Sequence, residues 1–153
     1  MLVDKEIMEL VKSESLITNF NEDNLGAISY DVVVDKFIID DKEENIDEYL
    51  LNQSEYVYVK TRESLNMTNN LCCKIIEKNS LMRNGLKVDG PFYQPGHKTS
   101  IFLRVNNISK KEILLNRGMK IAQLVFLKLS DEPMKTYDKQ RDAHYNDEKY
   151  FRN

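Results

Sequence analysis

The stretch that most constrains the fold runs from Phe92 to Asn107, FYQPGHKTSIFLRVNN. A Pro-Gly pair (Pro95-Gly96) marks a turn, and the residues after it alternate apolar and polar as one face of a sheet requires. Gln94 and Arg104 lie near the two ends of this unit. Similar short runs recur along the chain. Tyr56 to Lys60 (YVYVK) alternates cleanly, Ile28 to Phe37 is valine-rich and β-branched, and Cys72 to Ile76, Thr99 to Asn106 and Lys120 to Leu129 continue the pattern. Asn106-Asn107 and Arg117-Gly118 punctuate them. Many short strands between turns predict a mostly β barrel or sandwich. One helix is expected, over Leu2 to Lys12, with Asp4 as N-cap and Val3, Ile7, Leu10 and Val11 as its apolar stripe.

With 153 residues, one core domain over 1–130 is expected, followed over 131–153 by a polar segment carrying Tyr137, Tyr145 and Tyr150 that is either a frayed tail or an arm ordering over a site. The net charge of −3 offers no global basic field for duplex nucleic acid. No apolar run approaches the ~18 residues that span a bilayer, and no signal peptide is read at the start. Cys72 and Cys73 are adjacent in a strand-like run and so point to opposite faces, a poor disulfide pair. A reducing, cytoplasmic setting is the expectation. The acidic run from Asp40 to Glu48 reads as a solvated turn, with a divalent-metal role as the lesser reading.

A second element precedes the hairpin: Lys78 to Leu86, KNSLMRNGL. It places an amide (Asn79), a hydroxyl (Ser80) and a guanidinium (Arg83) within a few positions, beside the cation of Lys78. Arginine offers five donors in a rigid fork suited to phosphate or a carbonyl edge.

KNSLMRNGL resembles the RSSLARxGL motif of the dCTP deaminases, which share a fold with the trimeric dUTPases. FYQPGHKTSIFLRVNN resembles their I-D-P-G-x-x-G-x-L-T-L-E-x-x-N strand pair, and Gly118 to Phe126 (GMKIAQLVF) resembles their GM+IxQLxF strand. MLVDKEIMELV is similar to the family's opening helix, AISYDVVVDKF to its PASYDLRLGDKF strand, and TYDKQRDAHYNDEKY to the bacterial tail around PYNRREDAKYRNQQG. The matches fall in family order over nearly the whole chain. The resemblance implies a dUTPase-like β-barrel or jelly-roll with a short N-terminal helix and a C-terminal arm, assembled as a homotrimer around a nucleotide. Carried over by position, it implies nucleotide contacts from Lys78, Asn79, Ser80, Arg83, Gln94, Arg104, Tyr137 and His144. No cofactor is implied, beyond a Mg²⁺ accompanying a bound triphosphate.

The acids are missing. Arg104 stands where the deaminase pattern has its catalytic glutamate, and Gln94 where both branches have an aspartate before Pro-Gly. Asn79 replaces the first serine, and His144 the lysine of the tail. Deamination without zinc needs a group that takes a proton from water and returns it to the amine. Arginine has no acceptor, and an amide orients water without deprotonating it. No HxE with PCxxC pattern supplies a zinc alternative. The leading expectation is therefore a catalytically degenerate nucleotide-binding protein: a sensor, a regulator or a sequestering protein of the kind a phage would encode. Two alternatives stand beside it. One is an active dCTP deaminase or dUTPase whose base has moved to Asp89 or His97. The other is a protein-binding regulatory module.

Overall fold

The computed structural model, which describes residues 1–152, is built mainly on eleven strands. They are β1 (Ile17–Thr18), β2 (Tyr30–Ile39), β3 (Lys42–Glu44), β4 (Glu48–Leu51), β5 (Tyr56–Asn66), β6 (Leu71–Glu77), β7 (Leu86–Asp89), β8 (Phe92–Tyr93), β9 (Lys98–Asn107), β10 (Ile113–Asn116) and β11 (Lys120–Lys128). The main sheet runs in the order β7-β9-β5-β2-β11-β6-β8, with β1 added to β5 and β3 to β2. β4 and β10 form a separate antiparallel ribbon. The sheet curls round its own apolar face, giving the mostly β, dUTPase-like fold expected.

Alternation explains why the sheet closes. On β9, Ile101, Leu103 and Val105 are buried, while Ser100, Phe102 and Arg104 face outward. Val57 and Val59 on β5 and Leu124 and Phe126 on β11 supply the facing core. Each fully buried aliphatic or phenyl side chain contributes about 1.5–3 kcal/mol. Cys72 and Cys73 are both buried and unlinked; burial pushes the Cys73 thiol well above the usual range, the same desolvation that makes it inert.

Two local expectations need correction. The helix α1 spans Asp4–Glu14, and its N-cap is Val3, whose amide donates to the Glu6 carboxylate at 3.0 Å. Asp4 instead accepts from the next amide, Lys5 N. Ser15 ends the helix in the left-handed region, at φ 55°. The acidic run is not a loop throughout: Asp40 and Asp41 both adopt positive φ and make a two-residue hairpin that pairs Ile39 with Lys42. Aspartate tolerates that region better than most residues. Glu43, inside the run, pairs with both Lys36 and Lys60. Among the described residues no group of three or more histidine, cysteine or acidic side chains is placed to hold a metal.

Candidate functional site

The turn between β8 and β9 makes one wall of an aromatic-lined cavity. Its tip turns at Gly96, where φ is +76° and the His97 amide donates back to the Gln94 carbonyl. The chain after β11 then returns along this turn and the start of β9. Tyr137 N donates to Pro95 O at 2.7 Å, Asp147 N to Lys98 O at 2.7 Å, and Ser100 N to Glu148 O at 2.8 Å. Thr99 and Glu148 thereby form a short parallel bridge. Phe151 closes the end, its ring 4.9 Å from Tyr58 and 5.5 Å from Phe102.

Between this turn and the returning chain lies a cavity of about 290 Å³, walled by Tyr93, Phe102, Tyr137, Tyr145 and Phe151, with Gln94, His97 and Glu148 as polar members. His97 is buried, 4.0 Å from the Tyr137 ring, and its Nε2 lies 3.0 Å from the Tyr145 carbonyl. Only an N–H can satisfy that carbonyl, so Nε2 carries the proton. Desolvation holds the imidazole below its ordinary 6.5, which keeps the ring neutral. Gln94 is engaged as well: its Oε1 accepts from Gln140 Nε2 at 3.1 Å. The Tyr93 hydroxyl is fully buried and has no hydrogen-bond partner among the described residues.

Arg104 stands on the rim, one outward position beyond Phe102, in a shallow recess with Tyr58 and Asp89. Its Nη2 lies 2.9 Å from Asp89 Oδ2, and Asn106 Nδ2 donates to the same oxygen at 3.0 Å. Lys87 pairs with the other oxygen at 3.2 Å. These contacts, Arg104 foremost, hold the Asp89 carboxyl below its ordinary range. An acid so stabilised as its anion is a poor general base. The Arg104 guanidinium also lies over the Tyr56 ring, 5.8 Å from its centre.

The other predicted contacts are elsewhere. Asn79–Arg83 form a short helix, α2, in which Arg83 Nε donates to Asn79 Oδ1 at 3.1 Å. Arg83 is exposed in a recess shared with Lys110 and Lys111, and Ser80 is exposed beside it. Lys78 is committed to Asp31 at 2.7 Å. His144 lies exposed in a turn. Within one chain, then, Gln94, His97 and Tyr137 come together, Arg104 and Asp89 stand at their rim, and Lys78, Asn79, Ser80, Arg83 and His144 do not line the cavity.

Sequence reasoning missed Tyr93, Glu148 and Phe151. Phe151 was detectable as the one phenylalanine in a polar tail. Glu148 carried no signal, since it is one acid among several in that tail. Its carboxyl is nevertheless nine-tenths buried, and desolvation raises it above its ordinary range despite Arg152 and Lys60 nearby.

Comparison with known proteins agrees with this architecture. The 2'-deoxycytidine 5'-triphosphate deaminase of Agrobacterium tumefaciens superposes with a TM-score of 0.69 at 15% identity, covering 82% of this chain and 46% of that one. The EIAV dUTPase superposes with a TM-score of 0.58 at 20% identity, covering 83% and 94%. In sequence, a dUMP-forming dCTP deaminase of Hydrogenobaculum sp. is 30% identical over 150 residues, 87% of this chain and 85% of the relative. The corresponding Halobacterium salinarum protein is 27% identical over 75% of this chain, but that match spans only 60% of the relative's length. The family model described as dCTP deaminase-like matches residues 33–129. With a match across well over half its length and the curled β fold of those relatives, the chain belongs to the dCTP deaminase-like family.

Proposed function

We propose that the protein binds a nucleotide in the cavity between the β8–β9 turn and the returning C-terminal segment, and that it does not deaminate or hydrolyse it. The observation that carries this reading is the Arg104–Asp89 pair at the rim. Arg104 occupies the position of the family's catalytic glutamate and is protonated, with no acceptor to take a proton from water. Asp89, the nearest carboxylate, is held as a weakly basic anion by that same guanidinium. The cavity supports base and sugar binding through its aromatic walls, and Arg83 with Lys110 and Lys111 supplies cations for phosphate. Those cations and the cavity are apart within one chain, so the reading includes a homotrimer in which a neighbour's α2 meets the phosphates. Binding without turnover suits a sensor or a sequestering protein.

One observation favours a second reading, deamination through a relocated base. Glu148 is a carboxyl lining the cavity whose pKa is raised above its ordinary range by burial, the direction that makes a carboxylate a stronger base. Calorimetry with dCTP and dUTP, followed by chromatography of the recovered nucleotides, separates the two. The first reading expects binding with dCTP and dUTP recovered unchanged. Conversion of either by pure protein, lost in Glu148→Gln, overturns it in favour of the second.

A further inference from the structure

Phe151 lies half-buried on the outward face of the main sheet, its ring 4.9 Å from Tyr58 on β5 and 5.5 Å from Phe102 on β9. Lys60, the cross-strand partner of Phe102, holds this end of the chain down. Its Nζ donates to the Lys149 carbonyl while Glu43 Oε1 anchors it at 3.0 Å. The same ammonium lies over the Phe102 and Tyr150 rings, 5.5 and 5.3 Å from their centres. Main-chain pairing with β9 ends at Glu148. Beyond it, among the described residues, only the Lys60 ammonium and the Phe151 ring tie the segment to the sheet. A segment held by so few contacts opens locally at low cost. Its position matters for the site. The cavity and the shallow recess at Arg104 share Tyr58, Pro91 and Phe102 as walls, and Phe151 rests on two of these three. With Phe151 and Arg152 in its wall the cavity holds about 290 Å³, at the lower end of the roughly 300–1,000 Å³ of small-molecule sites.

We propose that residues 149–152 are an autoinhibitory strap: Phe151 occupies in cis the ring slot between Tyr58 and Phe102, and it leaves that slot when the cavity takes a full nucleotide. The inference rests on the nucleotide-binding reading and adds a regulated step to it. A segment that closes over a ligand stacks its ring on that ligand, and the two stabilise each other. Phe151 instead makes its ring contacts with the protein's own Tyr58 and Phe102, so strap and ligand draw on the same surface and exclude one another. Lifting the ring joins the cavity to the Arg104 recess as one groove, long enough to follow a base and sugar outward to a guanidinium. The apparent affinity of such a site is its intrinsic affinity multiplied by the fraction of molecules with the strap lifted. Lys60 sets that fraction. It lies outside the cavity lining, so it acts on the strap and not on the wall.

The test is calorimetry of the full chain with dCTP and dUTP, on the wild type, Phe151→Ala and Lys60→Met. Both variants should bind whichever nucleotide the wild type prefers about tenfold more tightly, as for a strap seated in roughly nine molecules of ten. A ring that merely walls the ligand gives the opposite sign, because its loss weakens binding. Lys60→Met keeps a stem over Phe102 and loses the grip on Lys149, so a gain shared by both variants belongs to the strap and not to space left by a deleted ring. Fluorine NMR of the chain labelled with para-fluorophenylalanine gives a second readout, with the Phe151 resonance assigned through Phe151→Ala. Saturating the wild type with nucleotide should move that resonance to the position of a solvated ring, and Lys60→Met should move it part of the way without nucleotide. A Phe151 resonance that stays in place on saturation, or variants that bind equally or more weakly, overturns the inference and leaves nucleotide binding standing. Absence of binding at millimolar nucleotide in the wild type and in both variants overturns the two together.

Discussion

Arg104 and Asp89 are cross-strand partners on β9 and β7, and their side chains meet at 2.9 Å where the family pattern carries a glutamate. Each therefore defines the other's chemistry. The guanidinium keeps the carboxyl ionised, and the carboxylate fixes the guanidinium on the rim rather than over the cavity.

Replacing Arg104 by glutamine should let Asp89 titrate closer to its ordinary 3.8. A carboxyl with a depressed folded pKa contributes stability above its unfolded pKa and loses it as pH falls through the lower folded value. The wild type should thus lose this contribution on acidification below about pH 3.8, and Arg104→Gln should have less to lose. Carboxyl-detected NMR titration of Asp89 checks it; an identical titration in both proteins would show that the pair does not govern the acid. Both groups are largely exposed, so the melting temperature at pH 7 should hardly move.

Glu63 should respond to pH in the opposite sense. It is 1% exposed, accepts Val33 N at 3.0 Å and the Tyr30 hydroxyl at 3.4 Å, and forms no ion pair among the described residues. Burial raises its pKa above the ordinary 4.5. Here the folded state holds the proton more tightly, so stability is greatest below 4.5 and is lost as pH rises through the folded value. Glu63→Gln keeps an acceptor for Val33 N and removes the buried charge. It should melt higher than wild type at pH 7, with the gap narrowing toward pH 4. A variant that melts lower at both pH values would sink this account.

Gly96 ties the β8–β9 turn to the returning chain. At φ +76° a side chain is disfavoured, and an added methyl would run into the Asp138 carboxylate and the Thr136 side chain. Gly96→Ala should cost about 1–2 kcal/mol from backbone strain alone and shift residues 136–138 off the turn. Hydrogen exchange should then speed at Tyr137 and Asp147, whose amides bond to Pro95 and Lys98, while β5 and β11 amides remain protected. Uniform loss of protection across the barrel is the contrary result.

Arg83 carries the phosphate prediction. Arg83→Ala should weaken a nucleoside triphosphate roughly ten- to hundredfold, the ~1.5–3 kcal/mol typical of hydrogen bonds to charged groups. Arg83→Lys should recover part, keeping the charge but losing the fork. Because Arg83 is exposed and among the described residues bonds only to Asn79, neither change should disturb the melting temperature. Unaltered affinity in both variants would remove α2 from the site.

The strands were legible because alternation is a local property: YVYVK and TSIFLRVN declare a buried and an exposed face whatever lies opposite. The two departures, the Val3 cap and the Asp40-Asp41 hairpin, arise where a neighbouring side chain or a left-handed backbone competes with simple pattern. The emptied acid positions were equally plain, since residue identity at a motif position needs no coordinates. What Arg104 does there was not legible. Its meeting with Asp89 depends on β7 pairing with β9, a contact across fifteen positions whose register is set by the whole curl of the sheet. His97 reads in sequence as a titratable group near a turn, yet burial and the Tyr145 carbonyl fix it as a neutral clasp. Glu148 shows the division most clearly. In sequence it is an ordinary acid in a polar tail; only the return of that tail along β9 removes water from its carboxyl and sets it in the wall of the same aromatic cavity as Tyr93.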